Sequence, residues 1–228
     1  MKCLLAAILS VGLFSTLCMA AEKPALKDTK DTESYSLGYQ FGQSMKAQGL
    51  DLDMEVYMSG IQDALTGADP RLSQDEMRAT VVDLQKRLAA VRQKELKEVA
   101  DKNLAEGKTF LEENKKKDGV ITLPSGLQYK ILAEGSGKTP KATDSVTVNY
   151  RGNLINGTEF DNSYKRGQPT TFQVGNVIRG WTEALQVMKE GSKWQIFIPP
   201  QLAYGDRSAG PVPPNSTLIF EVELISVK

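Results

Sequence analysis

Ten side chains in the last 110 residues of this 228-residue chain have types and spacing that could do chemistry. Tyr150 ends an alternating stretch, Phe160 and Asp161 follow a turn, and Arg166 comes shortly after. Phe172 opens another extended stretch, and Val177, Ile178 and Trp181 lead into a short helical segment. Tyr204 sits in Ala203-Tyr204-Gly205, and Phe220 lies in the final stretch. None of these is a nucleophile beside a base. The chain has no histidine, which excludes a Ser-His-Asp triad, a Cys-His dyad and an imidazole-ligated metal. What remains is recognition. Aromatic walls with few polar groups suit an apolar, uncharged ligand, and proline is the ring-shaped candidate in a polypeptide. Taken singly, each aromatic has a plainer reading as core, and Asp161 with Arg166 reads equally as an exposed pair worth under about 1 kcal/mol.

A sheet must hold these residues. After Gly119 the apolar period is two, in Leu127/Tyr129/Ile131, Val146/Val148/Tyr150, Trp194/Ile196/Ile198 and Leu218/Phe220/Val222/Leu224. Asn156-Gly157 predicts a type I′ turn between strands over 146–154 and 158–161. One helix is predicted at about 180–188, closed by Glu190-Gly191. The C-terminal part therefore reads as an antiparallel sheet packed on one short helix.

Before Gly119 the pattern is helical. A helix is predicted over 32–48, carrying Tyr35, Gly38, Tyr39, Phe41, Gly42 and Met45, and a second over 54–66 with Asp53 as N-cap and Gly67 as stop. Gly38 and Gly42 share a face. Glycine weakens a helix, so this predicts close approach by another helix, either from a second copy of the chain or within a tight intrachain pair. Ser73-Gln74-Asp75-Glu76 is a capping box opening a long helix, in which Met77, Val81, Leu84, Leu88 and Val91 form a heptad seam. Extended to Lys117 it would be about 65 Å long at ~1.5 Å per residue. Its charged second half reads as a solvated spacer, with Gly107 a point for bending.

Residues 1–20 carry one charge, Lys2, then an uncharged apolar run to Cys18 and the small-residue pattern Cys18-Met19-Ala20. This predicts a cleaved secretory signal; a retained anchor would want ~20 apolar residues. Both cysteines lie in it, so the mature chain would have no disulfide. The whole chain has 28 basic and 28 acidic residues, and loss of Lys2 leaves about one net negative charge. Nucleic acid is not an expected partner.

The fragments SGLQYKIL, VTVNYRG, NGTEFDNS, FQVGNVIRGWTEAL, IPPQLAYG and VPPNSTLIFEVELISV, in this order from Ser125 onward, resemble the FKBP-type peptidyl-prolyl cis-trans isomerases. KDTESYSLGYQFGQSMKAQG, the capped long helix and the ending LISVK resemble the macrophage infectivity potentiator subgroup. The resemblance implies an α+β protein: an N-terminal helical dimerisation module, a long connecting helix and a half-barrel antiparallel sheet wrapped on a short helix. The expected divisions are 1–20 signal, 21–70 dimerisation domain, 71–118 connecting helix and 119–228 isomerase domain. It implies Asp161, Tyr204 and Tyr150 as catalytic residues. Phe160, Arg166, Phe172, Val177, Ile178, Trp181 and Phe220 would bind substrate, with Trp181 as the floor of the proline pocket. The Tyr204 hydroxyl and the Ile178 N–H would hold substrate carbonyls, and Asp161 would stand near the carbonyl of the turning bond. No metal or cofactor is implied. The implied partners are proline-containing polypeptides, a second copy of the chain and macrolides such as rapamycin, in the periplasm, at the outer membrane or on the cell surface. A dimeric holdase chaperone with little isomerase activity is the alternative reading. Departures from the family pattern are Thr170 in place of a pocket aromatic, a shorter stretch from Phe172 to Val177, and no histidine between Asp206 and Pro211; they bear on substrate preference and inhibitor affinity.

Overall fold

The structure is a computed structural model that describes residues 25–228, so the predicted signal and its cleavage site lie outside the described residues. The chain divides into two units, one ending at Gln74 and the other running from Asp75 to Lys228.

The first unit holds α1 (Thr29–Ala47) and α2 (Met54–Thr66). α1 begins earlier than the pattern predicts because the Asp28 side chain accepts the free Asp31 N–H at 2.9 Å. α2 keeps its predicted bounds. Asp53 Oδ1 accepts from Glu55 and Val56 N–H, and Gly67 closes the helix in the left-handed conformation. Phe41 stacks on Tyr57 at 6.0 Å between ring centres. Of all the residues in these two helices, Met45 alone is buried. Among the described residues, a Cβ built at Gly38 or Gly42 meets nothing within 4 Å.

The second unit carries α3 (Gln74–Asn114), which starts directly after Ser73, and seven strands: β1 (Val120–Thr122), β2 (Gln128–Ala133), β3 (Ser145–Leu154), β4 (Glu159–Asn162), β5 (Thr170–Gln173), β6 (Lys193–Ile198) and β7 (Leu218–Val227). All pairings are antiparallel, in the order β1-β2-β6-β7-β3-β4, with β5 also on β3. Alternation decides the faces. Val146, Val148 and Tyr150 of β3, Trp194, Ile196 and Ile198 of β6, and Leu218, Phe220, Val222 and Leu224 of β7 all enter one core. α4 (Arg179–Leu185) packs its buried Trp181, Ala184 and Leu185 into that core. Gly180 permits the approach, because any Cβ there would collide with Ile198.

Two expectations change. The β3–β4 connection is not a type I′ turn: Gly157 N–H donates to Leu154 O at 2.9 Å, Leu154 N–H donates to Thr158 O at 2.9 Å, and Gly157 has φ +86 while Asn156 does not have a positive φ. This is a three-residue loop with glycine at the left-handed position. Asn156 Oδ1 accepts Thr158 N–H at 3.0 Å, a side-chain turn that takes the place of a left-handed Asn156.

The second change concerns α3, whose last third docks on the sheet instead of standing in solvent. Phe110 lies 6.0 Å from Phe197 between ring centres. Asn114 Nδ2 donates to Gln128 Oε1 at 2.9 Å, and Gln128 Nε2 donates to Leu111 O at 2.9 Å. Gly107 is buried against Thr217, a point of close approach. The Lys and Glu that suggested a spacer remain exposed around these contacts. Among the described residues no helix is long and apolar enough to cross a membrane.

Candidate active site

A cleft of about 310 Å³ opens where β3, β4, β5, α4 and β7 converge. It is lined by Tyr150, Asp161, Phe172, Asn176, Val177, Ile178, Trp181, Tyr204 and Phe220. Eight of the ten residues singled out from the sequence thus share one cavity. The other two stand directly behind it. Phe160 meets Phe220 edge to face at 5.4 Å, and Arg166 reaches Asp161 and Tyr150.

Trp181 is the centre of the wall. Its indole is 4% exposed and meets Tyr150 and Phe220 at 5.2 Å each and Phe172 at 5.9 Å, all nearly edge-on. Such edge-to-face contacts fix ring orientation as well as burying area. The indole is held because α4 begins only two residues earlier, with Ile178 O accepting from Trp181 and Thr182 N–H. No backbone carbonyl among the described residues accepts from the Ile178 N–H, which leaves a donor at the cleft.

The polar side of the cleft is a three-way clasp. Tyr150 Oη donates to Asp161 Oδ2 at 2.6 Å, Arg166 Nη1 donates to Asp161 Oδ1, and Arg166 Nη2 donates to Tyr150 Oη at 2.7 Å. Asp161 Oδ1 also accepts Asn162 N–H at 2.8 Å. The Arg166 guanidinium lies 5.3 Å from the Tyr150 ring centre and donates on to Thr170 Oγ1 at 3.3 Å. The threonine that departs from the family pattern therefore anchors the arginine.

Burial pushes the Asp161 carboxyl up, but the hydrogen bonds from Tyr150 and Arg166 and the guanidinium charge outweigh it and hold it below its ordinary value. Burial, then the bond to Asp161, push the Tyr150 phenol up to about 12. The clasp is thus a fixed carboxylate beside a protonated phenol. A depressed carboxyl keeps its ion-pair contribution above the ordinary carboxylate value and loses it as pH falls through the folded value. The clasp should therefore stay intact from about pH 5 to about pH 9 and open only below about pH 4. An NMR titration of the Asp161 carboxyl with a midpoint between those limits would contradict this.

Several contributors escaped sequence reasoning. Asn176 lines the cleft from the turn before α4. Gly152 clears space for two rings: a Cβ there would meet Phe220 at 2.7 Å and Phe160 at 2.8 Å. Ser163, fully buried, accepts Tyr150 N–H on Oγ at 2.9 Å and donates its own N–H to Tyr150 O at 2.9 Å, which locks the segment after Asp161 to β3. Gly152 and Ser163 lie inside the fragments VTVNYRG and NGTEFDNS, and their adjacency to Tyr150 and Asp161 was the available signal.

An antiparallel sheet packed on one short helix, with an aromatic-lined cleft and one held carboxylate, is an arrangement that suits an apolar, uncharged ligand. Residues 136–225 match the FKBP-type peptidyl-prolyl cis-trans isomerase family, and residues 30–131 match the domain amino-terminal to FKBP-type peptidyl-prolyl isomerases. The chain belongs to this family and is a peptidyl-prolyl cis-trans isomerase. It is 48% identical over 229 aligned residues to the outer membrane protein MIP of Legionella longbeachae, covering 100% of this chain and 98% of that protein. It is 46% identical to the peptidyl-prolyl cis-trans isomerase Mip of Coxiella burnetii, covering 100% and 99%. The crystal structure of FkpA from Escherichia coli superposes with a TM-score of 0.70 at 40% identity, covering 90% of this chain and 99% of that one.

Proposed function

We propose that the cleft takes the proline ring of an exported polypeptide against Trp181, walled by Tyr150, Phe172 and Phe220, with Phe160 backing Phe220. Asp161, Tyr204 and Tyr150 act as the catalytic residues, Val177 and Ile178 line the substrate, and Arg166 holds Asp161. The observation that carries this reading is the Tyr150–Asp161–Arg166 clasp at the edge of an otherwise aromatic cleft.

The mechanism follows from amide physics. Resonance keeps the Xaa-Pro bond planar behind a barrier of ~18–20 kcal/mol and makes its carbonyl oxygen electron-rich. Twisting removes that resonance, so the transition state has a less polar carbonyl than the ground state. A cleft that replaces water with aromatic rings destabilises the planar form more than the twisted one. A carboxylate fixed beside the same carbonyl acts in the same direction, because its repulsion is strongest when the oxygen is most negative. The Ile178 N–H and the Tyr204 hydroxyl hold flanking carbonyls and keep the chain from turning with the bond. The direct test is isomerisation of an Xaa-Pro tetrapeptide by the full-length protein with and without rapamycin. Acceleration that the macrolide suppresses is expected; no acceleration would end the reading.

Assembly through α1 and α2 belongs to the same proposal, with 21–70 as a dimerisation domain and α3 as the connection to the isomerase domain. Leu37, Tyr39, Phe41, Met54, Val56 and Met58 are all exposed, and so are Met77, Val81 and Val91 of the α3 seam. An apolar surface of this extent on two short helices calls for a second copy. Gly42→Leu is a clean probe, since a Cβ built at Gly42 meets nothing within 4 Å among the described residues. In a two-fold interface it should cost about 1–3 kcal/mol on each side and shift the protein toward monomer in analytical ultracentrifugation. Tetrapeptide activity should persist, because no cleft residue lies in the first unit. A fully dimeric variant would remove the glycine face from the interface. Export by the segment 1–20, with cleavage after Ala20, completes the proposal; N-terminal sequencing of exported protein beginning at Met1 would contradict it.

A further inference from the structure

Three positions on one face of α3 grip a short segment that leads to the cleft. Asn103 Nδ2 donates to Pro214 O at 2.9 Å, and Ala100 O accepts from Asn215 Nδ2 at 3.4 Å. Gly107 lies so close to Thr217 that any Cβ would collide with the Thr217 hydroxyl. Steps of three and four residues place all three on one side of the helix. Pro214 and Thr217 are buried, and Asn215 is half-buried.

The gripped segment is tied to the cleft at both ends. Asn215 has φ 54, the only positive value at a non-glycine residue among those described, in a conformation that asparagine tolerates. In this conformation its backbone N–H donates to Gly205 O at 2.7 Å, next to Tyr204. At the other end, Thr217 runs into β7 and so to Phe220. The Tyr204 ring is 40% exposed, so its place depends on the backbone beside it more than on packing.

We infer that Asn103 and Asn215 are positioning residues for substrate binding, through which α3 fixes Tyr204 at the edge of the cleft. The inference rests on the assignment of Tyr204 to the site. If the grip loosens, the fraction of molecules with Tyr204 in place falls, and apparent affinity falls with it. Turnover of bound substrate should change little, because substrate binding selects the molecules that have Tyr204 in place.

The test is made on the full-length chain with an Xaa-Pro tetrapeptide, separating KM from kcat by NMR exchange. Asn103→Leu should raise KM about three- to tenfold, the scale of one lost hydrogen bond, and leave kcat within about twofold. Asn215→Gly keeps the left-handed backbone and should move KM in the same direction by less, so the test survives if either variant folds poorly. The same change should vanish when Asn103→Leu is made in a Tyr204→Ala background, since the two act as one unit. A lowered Tm with unchanged KM would overturn the inference, as would strict additivity with Tyr204→Ala. A Tyr204→Ala variant with the parent KM would instead remove Tyr204 from the site and take the coupling with it.

Discussion

Asp161→Leu should lower kcat/KM for an Xaa-Pro tetrapeptide roughly ten- to a hundredfold while leaving the fold intact. A single preorganised polar contact of this kind is worth about 1–3 kcal/mol, and each 1.4 kcal/mol is about tenfold in rate. The fold should survive because the Asp161 side chain is 40% exposed and its Arg166 partner 44%, so water can solvate what the clasp releases. Arg166→Ala should give a smaller loss in the same direction, since it leaves the carboxylate in place but frees its position and removes the tie to Thr170. Equal kcat/KM for Asp161→Leu and the parent protein would take the carboxylate out of the reaction.

Cutting the chain before Gly119 should destabilise the isomerase domain far more than cutting it before Glu98. The shorter fragment loses Asn114 and Leu111 O as partners of Gln128, which is only 3% exposed, and uncovers Phe197, which is 5% exposed. A buried amide deprived of its partners costs about 1–3 kcal/mol, and an uncovered phenylalanine about 1.5–3 kcal/mol. Together these are a large share of the ~5–15 kcal/mol that holds a domain. Water reaching the uncovered surface will recover part of the loss, so the expected drop is at least about 10 °C in Tm. Gln128→Leu should restore part of it in the short fragment and lower stability in the long one. Equal melting of the two fragments would mean that the last third of α3 merely rests on the sheet.

The sheet was readable because period-two alternation is a direct consequence of strand geometry; β3 and β7 show it in their buried positions, and β6 breaks it only at Phe197, which is buried beside Phe110 of α3. α2 was readable because Asp53 and Gly67 satisfy orphan backbone groups in the way those residue types do best. The cleft was different. No periodicity separates Phe172, which lines it, from Trp194, which is core stacked on Tyr129; family resemblance supplied that distinction. The docking of α3 was hidden because, Phe110 apart, its contacts use Asn103, Gly107 and Asn114, residue types that an apolar pattern does not register. The hairpin turn was misassigned because Asn-Gly fits two loop lengths, and only the hydrogen bonds of Leu154 choose between them.

The central claim is that rotation is accelerated by placing the bond in a dry aromatic cleft beside a fixed carboxylate, with no proton transferred. The most direct measurement is the solvent deuterium isotope effect on kcat/KM for an Xaa-Pro tetrapeptide at a pH where the clasp is intact. A ratio of about 1, with rates unaffected by buffer concentration, is the expected result. A ratio of about 2 or more would place a proton transfer in the rate-limiting step and contradict the account.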